Sequence, residues 1–167
     1  MESWLWQDLP GVGIAWAHPS DLAIRLAHWH AGLCWLKEDQ ALRNAMAGSA
    51  AWHLQHLERR LPVGTEHGIR RIAHFCGMIL GGFTFPALTM ARAARAEGLA
   101  GLRWELEAQL SPDGTPLDQA PGALVQALML VALARAVSRA NGAAFPAQAD
   151  AALAKGAQWL FHLSGEI

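Results

Sequence analysis

The most polar constellation in the sequence is a pair of arginine doublets, Arg59-Arg60 and Arg70-Arg71, on either side of the short segment Pro62–Thr65, with Glu66 and His67 between them. A helix start offers free N–H groups and a positive dipole end. With arginines alongside, such a corner could hold a carboxylate or a sulfate through paired N–H bonds. The same residues also make an ordinary solvated helix corner, where exposed charges do little.

The other candidates for chemistry are weaker. His53 and His56 lie three apart, which puts both imidazoles on one face of a helix and could seed a metal site. No carboxylate or third histidine completes it, and His28 and His30, two apart, diverge on a helix. These histidines therefore read as surface or capping groups, with no metal and no cofactor expected. Trp16, Trp29, Trp35, Trp52 and Trp104 could offer flat platforms to sugar rings. An alanine-rich bundle also needs bulky side chains to fill its interhelical space, so most of them are expected in the core.

These residues need elements to position them. The chain has 167 residues, 53% of them apolar and 16% charged, and it is rich in alanine and leucine. That composition favours helix over sheet and one all-α domain. A formal net charge of −1 leaves no excess to hold a polyanion across a wide surface, so nucleic acid is not an expected partner. Cys34 and Cys76 lack metal-type spacing and read as buried thiols in a reducing compartment. Residues 1–8 carry no secretory signal, so a cytoplasmic location is expected. The most apolar stretches, 76–88 and 127–134, fall short of the roughly 20 residues of a membrane span.

Residues 1–18, with Trp4, Trp6 and Trp16 among Pro10, Gly11 and Gly13, predict an irregular arm packed on a helical body of residues 19–167. Pro19, Ser20 and Asp21 open a first helix over about 20–36. Asp39 opens a second, which ends before Pro62. A third over about 66–81 is capped by Thr65 and stopped by Gly81-Gly82. Pro86 precedes a fourth, which runs to Leu110, and Ser111–Pro116 forms a turn. A fifth helix over about 119–140 is apolar almost all round and is expected to sit centrally. Phe145-Pro146 leads into a sixth, to about Leu163. Short connections imply antiparallel hairpins.

In that order the segments resemble the helical toroid of the heparinase II/III-like polysaccharide lyases. His18-Pro-Ser-Asp-Leu-Ala-Ile-Arg-Leu-Ala-His-Trp29 is similar to an early helix of that family, with Arg25 and Trp29 four apart. Leu54–Glu58, and Glu66-His67 through Gly82-Phe83-Thr-Phe-Pro86, resemble the segment with an Asn-His pair and a small-residue-rich helix. Glu105–Gly114 resembles the approach to an Asp-Gly turn, and Gly165-Glu166-Ile167 the loop after the next helix.

The resemblance implies a partial α/α toroid of about six helices from a bacterial protein. It implies an acidic polysaccharide or oligosaccharide as ligand, with His67 as the catalytic position that neutralises a uronate carboxylate and Arg25, Trp29, Glu66, Arg70 and Gln109 as substrate contacts. Such lyases act by β-elimination, in which a base takes the proton α to the carboxylate and an acid protonates the leaving oxygen. The sequence departs from the family at two places. Glu66 stands where asparagine is expected, and Pro121-Gly122-Ala123-Leu124 stands in place of the Tyr-His pair. With no tyrosine in the chain, the expectation is a binding module that is inactive alone and is completed by a missing β-sandwich domain or a second subunit. The competing expectation is a helical protein–protein interaction or assembly module without glycan binding.

Overall fold

The structure is a computed structural model, and it describes residues 11–13, 16–33, 35, 39–60 and 69–165. Among them are six helices: α1 (Pro19–Leu33), α2 (Gln40–Arg60), α3 (Ile69–Thr84), α4 (Ala91–Gln109), α5 (Pro121–Ala140) and α6 (Ala147–Leu163). No strand occurs among the described residues, and a single bridge, Leu110 to Pro116, closes the α4–α5 turn. The protein is all-α, as composition and periodicity require.

Local chemistry sets most of the boundaries. Prolines with a fixed φ stand at the start of α1 and α5, where the missing N–H costs nothing. The Asp39 carboxylate accepts from the Leu42 N–H at 2.8 Å and caps α2. Gly142, at φ +69°, ends α5: its N–H reaches the Arg139 carbonyl while the Ala143 N–H reaches Ser138. Those two bonds form the Schellman stop that a left-handed glycine allows.

Several expectations need correction. Helix α1 ends at Leu33 rather than 36, and α4 begins at Ala91, one turn after Pro86. Gly81-Gly82 does not stop α3, which runs on to Thr84. The two glycines serve close packing: a Cβ on Gly81 would lie 2.9 Å from Leu54, and one on Gly82 2.7 Å from the Ala91 carbonyl. The Thr65 cap lies outside the described residues.

The pairing of close contacts gives the topology. Gly77 and Gly81 of α3 meet Ala23 and Leu26 of α1 in ascending order, so α1 and α3 run parallel. The same glycines meet Leu57 and Leu54 of α2 in descending order, and Gly98 and Gly101 of α4 descend along Ile79 and Phe75 of α3. In α5 and α6, Arg139 and Arg135 pair with Asp150 at 2.7 and 2.6 Å while Leu128 meets Gly156, again antiparallel. Helices α1, α3 and α5 therefore form one row of parallel helices, and α2, α4 and α6 pack against it with opposite sense.

The helix at the centre is α3, which packs on α1, α2, α4 and α5, and not the expected α5. Leu22, Leu54, Ile79, Leu102, Leu124 and Val131 meet in one fully buried core. Each contributes about 1.5–3 kcal/mol by leaving water. Helix α5 buries one face and leaves Val125 and Met129 exposed on the other. It is also longer than the stretch 127–134 suggested, and by length and composition alone it could cross a membrane. Trp16, from the predicted arm, is buried on the helical body.

Candidate functional site

Because α1, α3 and α5 are parallel, their N-terminal ends arrive at the same end of the molecule. Between them lies a cavity of about 300 Å³. Its polar lining comes from His18, Ser20 and Asp21 at the start of α1, Arg70 at the start of α3 and Gln126 in the second turn of α5. Ile24, Ala73, Ala127 and Leu130 supply the apolar remainder. The exposed Arg70 guanidinium and the nearby helix starts favour an anion. Ser20, Asp21 and Gln126 offer donors and acceptors suited to hydroxyl groups.

Successive residues on a helix point about 100° apart, so the doublet Arg70-Arg71 is split. Arg71 turns to α4, where its Nε lies 3.4 Å from Glu105 Oε2. Glu105 is buried, and its other oxygen accepts from Gln109 Nε2 at 2.9 Å. Gln109, half-buried at the last position of α4, is thus anchored to its own helix and is not among the residues lining the cavity.

Arg25 and Trp29 occupy the opposite side of α1, against α2. Arg25 Nη1 donates to His53 Nε2 at 3.2 Å, and its guanidinium lies 5.8 Å from the Trp16 ring. His53 Nδ1 donates to the Ser49 carbonyl at 2.8 Å, which leaves Nε2 as the accepting nitrogen. Trp29 is buried, with its ring 4.8 Å from His53 and edge-on to Phe85 at 6.5 Å. Neither residue lines the cavity. His53 is wholly buried, and desolvation, with lesser contributions from Arg25 and His56, pushes its pKa down to about 4 against the opposing pull of the Ser49 carbonyl.

A second buried imidazole, His74 of α3, is also pushed down to about 4, first by burial and then by Arg71. Its Nε2 has no hydrogen-bond partner among the described residues. His30 Nδ1 bonds Thr84 Oγ1 at 2.8 Å, and that hydroxyl donates to the Leu80 carbonyl at 2.6 Å, tying the far ends of α1 and α3. Cys76 is buried, and burial pushes its thiol pKa up. Among the described residues no three of His, Cys, Asp and Glu lie close enough to hold a metal ion.

Of the candidate site residues named from the sequence that lie among the described residues, Arg70 lines the cavity and Arg25, Trp29 and Gln109 do not. His67 and Glu66, with the rest of 61–68, lie outside the described residues, as does Cys34. Trp16 and Trp29 are core, whereas Trp35, Trp52 and Trp104 are exposed. The cavity residues Ser20 and Asp21 were visible in the sequence only as a helix start, and Gln126 only as a break in an apolar run.

No protein-family model matches the chain, and no curated protein sequence matches it. The fold is similar to that in a solved structure of heparinase III with methylated lysines. The TM-score is 0.62 at 19% sequence identity, over 87% of this chain and 23% of that one. The likeness is one of fold: a distant structural relationship between an all-α chain and the heparinase fold. The chain spans less than a quarter of the length of the solved structure it matches.

Proposed function

We propose that the chain is a helical module that binds an acidic polysaccharide or oligosaccharide and does not cleave it alone. The observation carrying this reading is the cavity where the starts of α1, α3 and α5 converge, with Arg70 on its wall beside Ser20, Asp21 and Gln126. An arginine at converging helix starts suits a carboxylate or sulfate, the neutral Ser20 and Gln126 suit sugar hydroxyls, and the Asp21 carboxylate can only accept from a hydroxyl. The distant likeness to the heparinase fold supports a glycan over other anions. The absence of tyrosine removes the base and acid that the resembled lyases use, so mixing the chain with heparin or alginate should produce no unsaturated uronate absorbance.

Calorimetric titration with a heparin-derived oligosaccharide at low salt tests the binding claim. Affinity should weaken as salt rises and drop about tenfold, or roughly 1.4 kcal/mol, in Arg70→Ala. Binding indifferent to both salt and Arg70 would refute it.

The second reading is an assembly module, and it too has an observation behind it. Val125 and Met129 on α5, with Phe161 and Leu163 on α6, leave large apolar side chains exposed on the last hairpin. Light scattering separates the two readings: a stable dimer without affinity for acidic glycans favours assembly, and a monomer that binds them favours the first.

A further inference from the structure

On the outer surface, away from the cavity of the parallel row, α4 and the first half of α6 flank a second groove. At one end is a hollow of about 370 Å³ lined by Trp104, Arg103, Leu99 and Pro146. At the other is a hollow of about 330 Å³ whose polar groups are Glu107, Ser111 and Lys155. Gln148 lines both, so the two hollows adjoin at that residue. Along α4 the lining runs from Leu99 to Leu110, about 16 Å at the helical rise.

Four features of this groove bear on what fits it. Trp104 is 65% exposed and lines the hollow rather than being spent on the core. The Arg103 guanidinium lies over one face of that ring, 5.2 Å from its centroid, so positive charge stands directly against the indole. The side chains of Gln148, Glu107 and Lys155 make no hydrogen bond or ion pair among the described residues, so their polar atoms are available to a ligand. The Ser111–Thr115 turn is already fixed, because the Asp113 carboxylate accepts from Ser111 Oγ and from the Thr115 N–H at 3.0 Å, and Gly114 packs on the Lys155 carbonyl.

We infer that this groove is a second glycan-binding site, taking an extended saccharide segment with acidic substituents. One pyranose face would stack on Trp104 with an acidic group toward Arg103. The next sugars would meet Gln148, then Glu107 and Lys155. A peptide strand is a poorer fit, because the walls are helices whose backbone groups are satisfied internally and offer no edge for strand addition. The inference does not depend on the cavity at Arg70, since no residue is shared between the two sites.

The test uses the whole chain labelled with 5-fluorotryptophan, so that each indole gives its own fluorine resonance. A heparin-derived octasaccharide is the probe, with cellohexaose as the uncharged control. The Trp104 resonance, assigned through Trp104→Phe, should shift saturably with the octasaccharide, and that of Trp35, which is also exposed, should not. Gln148→Ala with Lys155→Ala should weaken that titration about tenfold, and Arg70→Ala should leave it unchanged. A Trp104 resonance that does not move, moves together with Trp35, or responds equally to cellohexaose overturns the inference. A shift that survives in a chain with no Arg70-dependent binding leaves this groove standing and removes only the cavity.

Discussion

Arg25 Nη1 lies 3.2 Å from His53 Nε2, so a permanent positive charge is hydrogen-bonded to an imidazole that must stay neutral to accept it. The unfolded chain has no such constraint. His53 and His74 each have a folded pKa near 4 against an ordinary 6.5.

Acid should therefore destabilise the protein between about pH 6.5 and pH 4. Above that window both states are neutral at these histidines and their contribution is intact. Within it the unfolded chain takes up protons that the folded core refuses. The loss is on the order of 3 kcal/mol per histidine across the window, since each tenfold difference in proton affinity between the two states is worth about 1.4 kcal/mol. Urea denaturation at pH 7.5, 6, 5 and 4 checks this, and a stability that does not fall toward acid contradicts it.

His74→Leu separates one of the two histidines. Its Nε2 is buried and unpartnered among the described residues, so an apolar side chain of similar size removes an unmet polar group at little packing cost, against the loss of the imidazole's hydrogen bond to the Leu57 backbone. Stability at pH 7.5 should change by less than about 1.5 kcal/mol, while the decline toward pH 4 should lose about half its depth. An unchanged acid slope would show that His74 does not contribute to it.

Gly77→Ala should be severe. The new methyl would lie 2.6 Å from Ala23 Cα and Cβ, forcing two packed helices apart, and about 1–3 kcal/mol should be lost. Gly48→Ala, within α2 and with nothing near its Cβ, should instead add about 0.5–1 kcal/mol. Thermal melts of the pair settle whether the approach of α1 to α3 is as close as described.

Adjacent arginines should behave differently. Arg70→Ala removes an exposed side chain and should alter stability by less than about 0.5 kcal/mol while reducing glycan affinity. Glu105→Ala strips both Arg71 and Gln109 of their buried partner and should cost about 1–3 kcal/mol of stability. If Arg70→Ala unfolds the protein as readily as Glu105→Ala, the cavity loses its standing as a binding site.

The helices were legible from the sequence where their ends carry local chemistry: Pro19 and Asp39 act within one turn of themselves. The extent of α3 was not legible. Gly81-Gly82 is read locally as a stop, and only the arrival of Leu54 and Ala91 shows why small residues are needed within a helix that continues. The central place of α3 was hidden for a similar reason: uniform apolarity does not reveal which face of α5 has a neighbour. Arg70 could be picked out by charge and position. Arg25 and Trp29 were matched by resemblance along one helix, but the partner that draws them to the α2 side, His53, is distant in sequence and visible only when folded. The groove at Trp104 joins residues of α4 to residues beyond α5, a combination that no local pattern encodes.

The opposed senses of the two helix sets also give each end of the molecule a local polarity that its near-zero net charge conceals: at the end bearing Arg70, α1, α3 and α5 present N–H groups while α2, α4 and α6 present carbonyls, and at the far end the order is reversed.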